Sequence, residues 1–225
     1  MGQWVENLYE FYKSIWLKFG PEQIGSFDIK PPLSTSELAE LKNQFGGDIP
    51  DSLVEFYKNE ARYVEFSFSV AFVKGPPYGD HPPGGNFTFF DPLAQDPYAN
   101  PYQTRNWQEI YNARSSRFGR RLDSTFVFCN IGNNDCIGIE INSSITEPPV
   151  VYIPCVPEDF DLILPPIAPN LNSFLHELEM LCYGDPLELI QSGCVNRDGF
   201  LDHTVSAAKS IRRWYEENGI RIPQN

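Results

Sequence analysis

A chain of 225 residues with 41% hydrophobic and 21% charged residues is long enough for one sizeable core and too apolar to be a disordered segment. Its net charge of −13, from 17 basic and 30 acidic residues, argues against direct nucleic-acid binding, which draws its affinity from Lys and Arg neutralising phosphates. No apolar run reaches the roughly 18–20 residues that span a bilayer, and the start, Met1-Gly-Gln-Trp-Val-Glu-Asn, lacks a basic region followed by an apolar one, so a cytoplasmic protein with no membrane partner is expected.

Residues 3–19 place Trp4, Leu8, Phe11, Tyr12, Ile15, Trp16 and Phe19 at helical steps of three and four, and Gly20-Pro21 closes this amphipathic helix. A polar connection follows, up to Pro31-Pro32. Ser34-x-x-Glu37 reads as a capping box opening a second helix that ends at Gly46-Gly47. Pro50 suits the first turn of a third helix carrying Leu53, Phe56 and Tyr57. Strict alternation across 62–73, with Val64, Phe66, Phe68, Val70 and Phe72 on one side, predicts a strand of an antiparallel sheet.

Residues 74–103 are rich in Pro, Gly and Tyr and read as a long loop around one short strand at 86–91. A short helix is expected near Trp107, Ile110 and Tyr111, followed by a cluster of Arg residues. The runs 126–131 and 136–141 flank Gly132-Asn133-Asn134-Asp135, a hairpin signal because Gly and Asn tolerate positive φ. A third strand of this group is predicted at 150–155. Asn170 or Asn172 caps a helix with Leu171, Phe174, Leu175, Leu178 and Leu181, and a last amphipathic helix is expected over roughly 203–218. The order implies an α+β fold: a single, mainly antiparallel twisted sheet of about five or six strands, with helices at its N- and C-terminal sides.

The five cysteines, at 129, 136, 155, 182 and 194, show no C-x-x-C pair and read as unpaired thiols. His176-Glu177-Leu-Glu179-Met180 begins like a zinc-binding H-E-x-x-H, but Met180 stands where the second His belongs. Asn196-Arg-Asp198-Gly199 resembles part of a calcium loop, with Cys194 and Val205 at its first and last ligand positions. His81, His176 and His203 are scattered, with no metal spacing. No metal site, no cofactor and no catalytic residue is therefore expected. An enzyme built from Cys129 or Cys155 with a distant His is the weakest of the readings.

Charge is unevenly spread. Residues 105–121 hold five Arg and one acid, whereas 122–202 hold 13 acids and only Arg197. A field of that kind attracts a basic protein, although acidic surfaces also serve solubility alone.

Three stretches together resemble the SUKH superfamily, shared by yeast cell-wall-synthesis regulators and many bacterial immunity proteins. They are the segment from Leu33 through Ile49-Pro50 to Tyr57, the hairpin from Phe126 to Ile141, and Pro149-Val-Val-Tyr-Ile-Pro with Ala168-Pro-Asn-Leu-Asn-Ser-Phe-Leu-His-Glu-Leu. The resemblance covers about 33–182. It suggests a family-like domain at 31–183 containing the long loop 74–103, with an N-terminal helical extension at 1–30 and a C-terminal one at 184–225.

What the resemblance implies is binding without turnover. The expected partner is a cognate toxin, such as a basic nuclease, or another basic protein; the alternative is a regulatory scaffold for a cellular enzyme. The contacts expected on it are Asp135, Glu140, Glu158, Asp159 and Asp161, with Tyr98 and Tyr102 as loop aromatics. Oligomeric state stays open.

Overall fold

The computed structural model describes residues 2–21, 24–44, 49–70, 84–94, 125–131, 135–140, 145–153 and 165–223. The first helix, α1 (Gln3–Phe19), buries Trp4, Val5, Leu8, Phe11 and Ile15, the stripe expected from the spacing. It stops at Gly20, whose φ of 85° is a left-handed conformation that L side chains rarely adopt. Next comes a strand where the sequence reads as a polar connection: β1 (Ile24–Lys30), which pairs antiparallel with β2 (Tyr63–Phe68).

Between these strands lie α2 (Thr35–Gln44) and α3 (Asp51–Asn59). The capping box forms as expected: Ser34 Oγ accepts from Glu37 N at 3.3 Å, while Glu37 Oε2 accepts from Ser34 N at 2.8 Å and from its hydroxyl at 2.7 Å. Pro50 takes the position just before α3, and its carbonyl accepts the first helical N–H groups.

The remaining strands are β3 (Gly85–Phe89), β4 (Thr125–Ile131), β5 (Cys136–Glu140), β6 (Val150–Ile153) and β7 (Pro166–Ala168). All seven form one sheet in chain order, each antiparallel to the next. That is at least one strand more than the sequence suggests. Both unexpected strands, β1 and β7, are edges. Pro166 fits there because it starts an edge strand, where a missing N–H removes little from the ladder.

Past the sheet come α4 (Leu171–Met180), α5 (Pro186–Gln191) and α6 (Ser206–Glu217). Asn170, not Asn172, caps α4, its side chain accepting from Ser173 N at 2.8 Å. Asn170→Ala is expected to cost about 1 kcal/mol, measured by chemical denaturation, because it strips one N–H of its acceptor. After α4, Cys182 and Tyr183 both take positive φ, of 58° and 54°. Such a turn is strained for side-chain-bearing residues. It is held by Cys182 N–H on Glu179 O and Tyr183 N–H on Leu178 O, and it drives the Tyr183 ring into the core between Trp4, Phe11 and Phe66.

One apolar cluster takes residues from α1, α3, the inner sheet face, α4 and α6, including Phe66, Phe87, Phe128, Phe174, Ile211 and Tyr215. Both terminal segments thus share the core of the central region. Among the described residues, no helix is long and apolar enough to cross a membrane.

Candidate binding surface

Strand register divides the sheet into two faces. Val64, Phe66, Phe87, Phe89, Cys129, Ile131, Ile137 and Ile139 share the inner face, against the helices. Opposite them, the outer face changes character along the sheet. Over β1–β3 it is polar and partly exposed, with Ser26 hydrogen-bonded to Ser67 and Asp28 paired against Glu65, then Asn86 and Thr88. Over β4–β6 its middle is apolar and buried, with Val127, Cys136, Val151 and Ile153, while Asn130 and Glu140 stay partly exposed. Polar alternation marks a solvated sheet face, and its loss marks a covered one.

Side chains on the polar half are tied to each other. Ser26 N donates to Ser67 Oγ at 2.7 Å, and the two hydroxyls lie 3.1 Å apart. Tyr63 OH donates to Glu65 Oε2 at 2.6 Å, and Lys30 lies over the Tyr63 ring at 4.7 Å. The Tyr63 and Ser26 hydrogen bonds hold the Glu65 carboxyl below its usual range. Glu65 therefore stays ionised to lower pH than an ordinary glutamate.

Of the expected contact residues, Asp135 and Glu140 fall within the described region. Glu158, Asp159, Asp161, Tyr98 and Tyr102 lie outside it, as do the Arg residues at 105–121 and the expected helix near Trp107. Asp135 sits at the β4–β5 turn, 7% exposed, where it accepts a hydrogen bond from Tyr152 OH and its carbonyl accepts from Ile131 N at 2.8 Å. Glu140 is at the other end of β5, half-buried on the outer face opposite Thr125. The structure therefore places these two at opposite ends of one strand.

Several other acids of 122–202 serve the fold. Asp185 caps α5, accepting from Leu187 N and Glu188 N, and Glu147 Oε1 accepts from Ser52 N at the start of α3. Glu179, whose carboxyl is pushed up by burial, accepts from Asn7 Nδ2 at 2.6 Å. Asp202 accepts from the N–H and hydroxyl of Thr204. Net charge alone misses this division of labour, because a capping carboxylate and a docking carboxylate count the same.

Cys129, one of the thiols considered as a nucleophile, is fully buried, and burial pushes it well above its usual pKa, with Cys136 adding to the effect. A thiol held protonated in an apolar site is a poor nucleophile. Cys136, Cys182 and Cys194 are likewise buried, and burial raises Cys182 to about 12. Cys155 and His81 lie outside the described residues.

Two of the three histidines expected to be scattered come together. His176 and Glu177, on α4, meet His203, which precedes α6. The His203 backbone N–H donates to Glu177 Oε2 at 2.7 Å, and its Nδ1 lies 2.9 Å from the same oxygen. No local spacing could reveal this, since the turn between α5 and α6 brings His203 back onto α4. The H-E-x-x-H pattern does stay open at Met180, which is buried.

The helix pair, the central hairpin and the closing strand with its helix now stand in the order that the sequence resemblance requires. The model of the SMI1 / KNR4 family (SUKH-1) matches residues 32–177. The chain belongs to that family. No curated protein and no solved structure matches it.

The SMI1 / KNR4 match runs from just before α2 into α4 and so includes β2–β7. Outside it lie α1, β1, α5 and α6. These four elements still complete the SUKH-1 core: β1 lengthens the sheet, and α1 supplies Trp4 and Phe11 to the cluster around Tyr183.

Proposed function

We propose that this chain is a non-catalytic binding protein, and more narrowly an immunity protein that neutralises a basic bacterial toxin, such as a nuclease. Membership of the SUKH-1 family over 32–177 carries the reading. The buried, protonated Cys129 thiol and the acidic excess of 122–202 support it.

The contact surface proposed is Glu140 with Glu158, Asp159 and Asp161 as the acidic rim, and Tyr98 and Tyr102 as aromatic anchors. Aromatic anchors supply affinity, and the charges speed association and select a basic partner. Asp135, also expected as a contact, is buried against Tyr152 at the other end of β5 from Glu140.

Co-expression with a candidate toxin gene, sought immediately upstream of this one, tests the proposal. Cells are expected to survive with the intact chain. Charge reversal of Glu158, Asp159 and Asp161 is expected to weaken toxin binding at least tenfold at low salt, with the difference shrinking at high salt as screening grows. Failure to rescue removes immunity in favour of a regulatory scaffold for a cellular enzyme. Unchanged affinity of the reversed variant removes the acidic surface.

A further inference from the structure

His176, Glu177 and His203 each place one ligand-type atom within 4.8 Å of the others. The two imidazole rings are nearly perpendicular, at 89°, with centroids 5.5 Å apart. Side chains of Glu177 and His203 keep only 18% and 19% of their exposure, whereas His176 is exposed. Together they form a half-buried pair with a third donor on its open side.

We propose that these three residues bind a divalent transition metal, with zinc the best match, and that the ion staples α4 to the segment leading into α6. Two imidazoles and a carboxylate form a borderline donor set that suits zinc, whereas calcium and magnesium prefer oxygen donors. With bonds of about 2.0–2.1 Å, tetrahedral ligand atoms sit about 3.3 Å apart. His203 Nδ1 and Glu177 Oε1 are already 3.1 Å apart.

Glu177 Oε2 stays fixed by the His203 backbone N–H, so Oε1 is the oxygen that turns to the metal. His203 then binds through Nδ1 and carries its proton on Nε2, exchanging its hydrogen bond to Glu177 for a shared ion. His176 closes the third position by a side-chain rotation on an exposed helix surface. Water takes the fourth. An imidazole–carboxylate contact alone explains the His203–Glu177 pair, but it does not require His176.

The test uses the full chain without a polyhistidine tag, stripped with a chelator and titrated with zinc chloride by calorimetry and with cobalt(II) by visible absorption. One ion per chain is expected. The cobalt spectrum should show d–d bands without thiolate charge transfer. Zinc at a hundredfold excess over Kd should raise the melting temperature by about 5–10 °C. His176→Ala is expected to leave the melting temperature of the metal-free protein unchanged and to weaken binding at least tenfold. His203→Gln should abolish binding, and His81→Ala should leave it intact. Absence of a one-to-one site, thiolate bands in the cobalt spectrum, or binding that survives His176→Ala would overturn the proposal.

Discussion

Arg62→Met is expected to destabilise the protein by about 2–3 kcal/mol, a fall of roughly 5–10 °C in melting temperature. Arg62 stands between α3 and β2, and its guanidinium reaches two carboxylates on different elements. Nε donates to Asp91 Oδ2 at 3.0 Å and Nη2 to Asp91 Oδ1 at 3.4 Å, while Nη1 donates to Glu37 Oε1 at 2.6 Å. Asp91 leaves β3 with its side chain only 8% exposed, and its Oδ1 also accepts from Leu93 N. Methionine keeps most of the aliphatic packing and removes the charge, leaving a buried carboxylate without its cation.

A double-mutant cycle with Asp91→Asn separates the pair from the packing: the double variant should lose less than the sum of the singles. If Arg62→Met costs under about 0.5 kcal/mol, the contact is worth no more than a surface ion pair.

Acid adds a second readout of the same place. Hydrogen bonds from the Ser34 hydroxyl and N–H, then from Arg62, lower the Glu37 carboxyl from the usual 4.5 to about 2. A depressed carboxyl stabilises the fold above its unfolded-state range near 4.5, and that contribution is lost as pH falls from there towards 2. Most of it should survive Arg62→Met, because the two Ser34 contacts are the larger causes. Ser34→Ala removes the hydroxyl contact, the largest single cause, and keeps the N–H contact, so it should remove part of the acid-range stability and leave part, as followed by circular dichroism between pH 5 and about 2.

Elements with strong local periodicity were legible from residues alone. The α1 stripe, the capping box, the alternation of β2 and the β4–β5 pair each carry their signal within a few positions. The two edge strands do not. Among the described side chains of β1, Phe27 and Ile29 turn towards the core and both are only partly buried, so the alternation is faint. In β7 the prolines hide the pairing, since a proline counts against a central strand but not against the start of an edge. Helix α5 was legible in principle: Asp185-Pro186 is a cap followed by proline at the first turn.

Sites behave differently from elements. A surface is made by residues that meet in space, and charge totals cannot tell Asp185, spent on a helix cap, from Glu140, on the outer sheet face. The His176–Glu177–His203 cluster shows the same limit from the other side. Glu177 and His203 are 26 residues apart, and the only hint was two donors side by side on one helix. Sequence spacing finds metal sites that close within one element, and this one closes between two.

The deepest dependence of the family core on its flanks lies at Trp4, where Trp4→Ala is expected to cost about 3–5 kcal/mol. Its ring meets Phe56 of α3 at 5.9 Å, Phe89 of β3 at 5.5 Å and Tyr183 at 5.7 Å, all edge-on. Its Nε1–H donates to Leu175 O of α4 at 3.0 Å in a buried setting. One side chain from outside the 32–177 match thus joins a helix and a strand within it to the strained turn beyond it. Alanine leaves a cavity bordered by aromatic rings too rigid to collapse into it, which puts the cost at the high end for core truncations. Trp4→Phe keeps most of the ring contacts and loses the hydrogen bond, so about 1–2 kcal/mol is expected there. Thermal melts of both variants check the order. If Trp4→Ala melts within 2 °C of the intact chain, α1 is a separable appendage; a drop of about 10 °C or more makes it part of the domain that the SUKH-1 region needs in order to fold.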